Sequence, residues 1–408
     1  MAGALAHIRV LDLSRVLAGP WASQTLADLG AQVIKVERPG RGDDTRAWGP
    51  PYLQDADGND TSEAAYYLCA NRNKQSVTID FTQAEGQQLV RDLAAQSDIV
   101  LENFKVGGLA RYGLDYASLK QIKPDLIYCS ITGFGQTGPY AKRAGYDFLI
   151  QAMGGLMSLT GQPDGAEGAG PVKVGVALTD ILTGLYAATS VLAALAHRDQ
   201  TGAGQYIDLA LLDVQVACLA NQTLNYLTTG QSPRRLGNAH PNIVPYQSFP
   251  TADGDMIIAV GNDSQFASLC AVIDQPEWAQ DERFATNAAR VAHRETLIPL
   301  LRQTTVMRRT DDWVAALETA GVPCGPINDI AGVFANEQVK ARGILQHMAH
   351  PLAGQVPQVA SPMRLSATPV DYRQPPPLLG EHTHTILADV LGLNDEQIAA
   401  LAAQGVTG

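Results

Sequence analysis

The sequence predicts an α/β protein, with a large domain built on a parallel sheet and a smaller α+β domain behind it. In the first hundred residues, short β-branched runs at 8–13, 33–37, 76–81 and 98–103 alternate with segments of helical spacing such as 84–96. Residues 231–250 are rich in Pro, Asn, Gly and His, and 246–260 reads as a hairpin turning at Ala252-Asp253-Gly254, which marks a change of architecture. With 46% hydrophobic and 17% charged residues over 408 positions, the chain can bury more than one core.

In the opening unit, the strand at 8–13 leads through Ser14 to Gly19 into a helix with Pro20 in its first turn, ending at Gly30 before the next strand. Such βαβ units build parallel sheets through right-handed crossovers. Further strands are expected at 125–132 and 206–210. Between them lies a long buried helix over 181–197, closed by Thr201-Gly202-Ala203-Gly204, so the first domain extends to about residue 200. The stretch 351–377 holds seven prolines and little periodicity, which predicts an extended excursion over the body or a partner subunit.

Composition excludes several classes of function. A net charge of −12 and a pI near 5.1 lack the basic excess that nucleic-acid binding requires. Five cysteines spaced more than fifty residues apart, with no CxxC, disfavour a disulfide scaffold and a zinc site. The N-terminus lacks the pattern of a signal peptide, and no run reaches the roughly 18 apolar residues of a membrane span. The expectation is a cytoplasmic protein with reduced thiols.

Several residues could carry chemistry. The loop 14–20 follows a strand and opens a helix, a place that suits an anion or serves as an ordinary connection. Glu37 is followed by Arg38, and a cation there suits a phosphorylated nucleotide better than the bare ribose of NAD. Asn103, Phe104, Lys105 and Arg111 follow another strand and converge on the same sheet edge, where cations and an aromatic would fit a phosphate-rich ligand with a purine ring. Asp180 lies among apolar residues in VGVALTDILTG at the start of the long helix. It is either an N-cap or a desolvated nucleophile, and one site can serve both roles. The loop 138–147 carries Arg143, Tyr146 and Asp147.

These residues and their surroundings resemble the family III CoA-transferases. The resemblance runs through VLDLSRVLAGP, DLGAQVIKVERP, GDDTRAWGPP, NRNKQSVTIDF, LENFKVGGLARYGL, YCSITGFGQTGPYAKRAGYD, PVKVGVALTDILTGLYA, HRDQTGAGQYIDLALLD, GVPCGPIND and LLGEHT. The wording of GDDTRAWGPP and VPYQSF is most similar to members that handle dicarboxylic acids. The resemblance implies that Asp180 is the catalytic aspartate, and that CoA is contacted by Leu17, Ala18, Arg38, Ile79, Asp80, Asn103, Phe104, Lys105, Arg111, Arg143, Tyr146 and Asp147. It places Trp48 near the reaction. Arg46, Arg143 and His240 are candidates to hold a distal carboxylate, and the loop of Gly261 and Gln265 is a candidate source of oxyanion donors. Leu17 stands where formyl-transferring members carry glutamine, and Gly261 to Gln265 where they carry glycines, which argues against formate and oxalate.

The implied fold is a doubly wound, Rossmann-like large domain from residues 1–200 and 335–408, a linker at 200–225 and a small domain at 225–330, in an interlocked homodimer. The implied reaction moves CoA from an acyl-CoA such as succinyl-CoA to a dicarboxylate such as glutarate through an aspartyl-CoA thioester. Acyl-CoA is then a substrate, and no metal or permanently bound cofactor is implied. A racemase of the same superfamily would need a histidine where Tyr146 stands, and no histidine lies between His7 and His197. A non-catalytic CoA-binding protein would not require Asp180 in its full motif, and an NAD-dependent dehydrogenase would need the missing glycine fingerprint.

Overall fold

A computed structural model describes residues 3–408. Strands β1 (Arg9–Asp12), β2 (Gln32–Glu37), β3 (Lys74–Thr78), β4 (Ile99–Glu102), β5 (Ile127–Thr132) and β6 (Tyr206–Ala210) form one sheet in the order β3-β2-β1-β4-β5-β6. Every pairing in it is parallel, with Val10 opposite both Val33 and Ile99. This is the strand order of a doubly wound sheet, and it reverses between β1 and β4, which opens a crevice at the carboxyl ends of the strands.

Side-chain alternation divides the core into two layers. Val10, Val33, Ile99, Leu101 and Ile127 pack with α1 (Ala18–Asp28) and with the long helix α4 (Leu178–Thr201). Leu11, Ile34, Val36, Val77 and Val100 point the other way, toward α2 (Ala84–Ala95) and the C-terminal helices Thr383–Asp389 and Asp395–Ala403. Helix α4 is long and apolar enough by composition to cross a membrane, but 50% of its apolar window is buried in this core.

The third strand starts two residues earlier than its β-branched run, because Lys74 and Gln75 pair with Val33 and Ile34 of β2, and charged Lys74 is fully buried in it. The Lys74 ammonium donates to the Pro20 carbonyl and Asn71 Oδ1, both at 2.9 Å. The pairing ends at Thr78, so Ile79, Asp80 and Phe81 lie in the loop at its carboxyl end.

Domain limits also differ from expectation. One compact unit comprises the chain up to Leu156, Val174–Leu224 and Lys340–Gly408; the other comprises Met157–Lys173 and Asn225–Val339. Residues 200–225 form no linker, since they carry β6 and the helix Leu211–Cys218. The proline-rich tail opens with a hairpin, Leu345–His350 against Gly354–Val359, before crossing the sheet edge, where Arg373 donates to the carbonyls of Ala27, Gly30 and Ala31. The second unit holds an antiparallel sheet of Tyr246–Pro250, Asp255–Ala259 and an unanticipated third strand, Cys324–Pro326. Phe249, Met256, Ile258, Phe266 and Trp313 form its core.

Candidate active site

At the carboxyl ends of β1 to β5 the first unit encloses a cleft of about 860 Å³. Arg38, Ile79 and Asp80 line it from the β2 and β3 loops, and Asn103, Phe104, Lys105 and Arg111 from the β4 loop. Leu17 and Ala18 at the head of α1 also line it, as do Arg143, Tyr146 and Asp180. Arg38, Lys105 and Arg111 have no carboxylate within 4 Å among the described residues, so their charges are available to an anion. Asn103 is differently employed: its Oδ1 accepts from Arg15 N at 2.9 Å and its Nδ2 donates to Arg15 O at 2.7 Å. Its amide therefore clasps the β1 and β4 loops across the switch point.

Helices α1 and α4 bring Leu17, Ala18 and Asp180 to one wall. Gly184 permits their close approach, because a Cβ there would lie 2.7 Å from the Ala18 carbonyl oxygen and 2.9 Å from Trp21 Cβ. Asp180 is not the N-cap; Ala177 holds that position and Asp180 lies in the first helical turn. The capping acceptor is Asp147, which opens α3 (Asp147–Met153): its Oδ2 accepts from Thr179 N at 2.8 Å and Asp180 N at 3.4 Å. Gln151 holds Asp147 in place at 2.6 Å. Asp147 thus faces the helix terminus, and it is not among the residues lining the cleft.

Asp180 is 8% exposed, and burial, reinforced by the Asp147 carboxylate, pushes its pKa up to about 7. A partly desolvated carboxylate of this basicity, opening on a cleft with several free cations, can act as a nucleophile or as a general base.

Residues 5–383 match the family model of CoA-transferase family III. The chain belongs to that family. It is 54% identical over 386 residues to the succinate–glutarate CoA-transferase of Agrobacterium fabrum, covering 95% of each chain. It is 44% identical over 402 residues to the succinyl-CoA:glutarate CoA-transferase of Homo sapiens, covering 98% of this chain and 89% of that one. The crystal structure of a CAIB/BAIF family protein from Brucella suis matches it with a TM-score of 0.83 at 53% identity, covering 96% of this chain and 100% of that one.

Among the expected substrate residues of this family III CoA-transferase, Arg46 is already engaged. Arg46 is buried, paired with Glu37 at 2.8 Å and Glu63 at 3.4 Å, and stacked 3.7 Å above the Tyr67 ring, so it has no charge left for a substrate. His240, Gly261 and Gln265 belong to the second unit. The Gly261 N–H is already donated to Gln265 Oε1 at 2.7 Å, which removes it as a free oxyanion donor, and His240 packs on Tyr246 with ring centroids 5.3 Å apart.

Trp48 is not a cleft-lining residue, but it stacks edge-on against Tyr66 at 5.0 Å. Burial, with the charges of Asp180 and Asp147 adding to it, raises the Tyr66 pKa to about 12, so this phenol keeps its proton. The pair Tyr66-Tyr67 gives no sequence signal that one ring is core and the other half-buried against Trp48.

Proposed function

We propose that this enzyme transfers CoA from succinyl-CoA to glutarate or a close dicarboxylate, with Asp180 as the nucleophile. The observation that carries the reading is the desolvated Asp180 carboxylate opening on a cleft with unpaired cations. The names of the relatives support the choice of acids.

Asp180 attacks the thioester carbonyl; the C–S bond breaks, CoA leaves as a thiolate, and an aspartyl-succinyl anhydride forms. The thiolate then attacks the aspartyl carbonyl, expelling succinate and leaving CoA on Asp180. The acceptor carboxylate attacks this thioester and releases the thiolate, which takes the acyl group from the second anhydride and frees Asp180. Binding of the distant nucleotide by Arg38, Lys105 and Arg111 offsets the cost of desolvating and aligning the reacting groups. The amides of Leu17 and Ala18, which have no acceptor among the described residues, would serve as the oxyanion donors.

Because the carboxylate is the reactive form, kcat/KM should rise with pH and level off above about 7, falling about tenfold per unit below. Asp147→Asn removes a like charge and should move the midpoint toward acid. A midpoint unchanged by that substitution would mean that burial alone sets the basicity of Asp180.

Arg143 is the cleft cation on the β5 side. Its guanidinium lies over the rings of Phe134 at 5.3 Å and Tyr140 at 4.6 Å, and no carboxylate pairs with it among the described residues. We assign it the distal carboxylate of the acid. Glutarate should exceed butyrate as acceptor by at least about tenfold in kcat/KM, roughly 1.4 kcal/mol, and Arg143→Gln should erase that preference while leaving the affinity for free CoA unchanged. Equal use of butyrate by the native enzyme would overturn the dicarboxylate reading and leave the transferase standing.

An interlocked homodimer and a cytoplasmic location belong to the same proposal. Exposed Leu185, Tyr186 and Leu192 on α4 support burial against a second copy, and the free thiols of all five cysteines suit a reducing compartment. Sedimentation velocity should give twice the mass of the chain.

A further inference from the structure

Val16 sits in the loop between β1 and α1 with φ of 72°, in the left-handed region that a β-branched residue rarely occupies. Its own side chain does not impose this conformation; the groups gripping the backbone around it do. The Asp43 carboxylate accepts the Val16 N–H at 3.2 Å to Oδ1 and 3.3 Å to Oδ2. Lys35 Nζ donates to Asp43 Oδ2 and to the Ser14 carbonyl, both at 2.9 Å. Thus one buried ion pair, with both side chains at 0% exposure, holds the loop at two points on either side of Arg15.

The pair is itself braced. Lys35 lies opposite Asp12 in the register of β1 and β2, and Asp12 accepts the Ser14 N–H at 2.9 Å. Asp43 takes further bonds from Thr45 N at 3.0 Å and Thr45 Oγ1 at 2.8 Å, while its own N–H donates to Glu37 at 2.9 Å. Burial alone would raise the Asp43 pKa, but Lys35 and the Thr45 bonds outweigh it and hold the carboxyl at about 2, so the strut stays charged at working pH. Lys35 is not a cleft-lining residue, and Asp43 borders the cleft with its side chain closed to solvent; the residues they set, Leu17 and Ala18, share the cleft wall with Asp180.

We propose that Lys35 and Asp43 are positioning residues for CoA transfer: their ion pair holds Val16 left-handed and so fixes the head of α1 against the reacting acyl group. This rests on the reading of the cleft as the acyl-CoA site. A pair serving only the stability of the fold would give its loss no connection to the conformation of Val16.

The test is kcat for succinyl-CoA with glutarate in Asp43→Asn, and in the same variant carrying Val16→Gly. Asp43→Asn should lower kcat at least twentyfold with KM for succinyl-CoA changed less than threefold. Glycine adopts a φ near 72° without help, so adding Val16→Gly should restore kcat at least fivefold. Where Asp43→Asn does not fold, Lys35→Met with Asp43→Leu replaces the pair by apolar groups of similar volume and carries the same two expectations. A kcat within twofold of native in the folded pair variant, or no recovery with Val16→Gly, overturns the inference. Asp180→Ala serves as the control: if it stays active, the site reading fails, whereas an inactive Asp180→Ala beside an active Asp43→Asn refutes only the strut.

Discussion

Asp180→Ala should lower kcat for CoA transfer by roughly three orders of magnitude or more while leaving the affinity for free CoA close to native. The two effects separate because the nucleophile sits on α4 and the unpaired cations sit on the β2 and β4 loops. Native enzyme mixed with succinyl-CoA should gain the mass of a covalently held CoA, releasable by hydroxylamine as a hydroxamate at Asp180, and the variant should gain nothing. The same substitution carries a stability signature. The folded-state pKa of Asp180 is raised, so the folded protein favours the neutral acid, and the cost of ionising it grows as pH rises through about 7. Asp180→Ala should therefore melt at an equal or higher temperature than native at pH 8, with the gain shrinking toward pH 4. Retention of more than a few per cent of kcat, or a lower melting temperature at pH 8 than at pH 5 relative to native, would count against a strained catalytic carboxylate.

The parallel sheet was legible because each strand is a short apolar run bounded by turn residues, and a buried strand must be apolar on both faces. Lys74 shows the limit of that signal. Its place inside β3 depends on the Pro20 carbonyl, Asn71 and Asp12, all supplied by tertiary contact. Residues 157–173 join the second unit although they are far from it in sequence, and their lack of periodicity gave no sign of this. Within the site, Asp180 stood out as a lone carboxylate in an apolar helix start, whereas Asp147 as its capping acceptor did not, because the two are brought together across 33 positions. The left-handed Val16 had no sequence mark at all, since glycine or asparagine would be the expected residue there. Charged residues were the hardest to place: a sequence shows that Arg38 and Arg46 are cations but not which of them already has a partner.

That distinction makes Arg46 the second large effect. Arg46→Ala should destabilise the first unit by about 3 to 5 kcal/mol, the usual cost of leaving one member of a buried ion pair alone, and should leave acceptor selectivity intact in the protein that remains folded. Its Nε and Nη2 each meet a different oxygen of Glu37 at 2.8 Å, and Nη2 also donates to the Pro377 carbonyl at 3.0 Å, tying the proline-rich tail to β2. Glu63 is the weaker partner: burial leaves its pKa raised despite Arg46, while Glu37, although more deeply buried, is held below its ordinary value by Arg46 and Lys35. Arg46→Lys should recover little, because a single ammonium cannot reproduce the two-pronged contact or the stacking on Tyr67. Glu37 also accepts from Asp43 N at 2.9 Å and Ser76 Oγ at 2.7 Å, so its unpaired charge would loosen the turn that presents Asp43 to Val16. Chemical denaturation should accordingly show a large loss of stability, and kcat should fall through the loop beside Asp180 while the ratio of glutarate to butyrate stays fixed. A variant of native stability whose acceptor preference had shifted would restore Arg46 as the selector and contradict its burial.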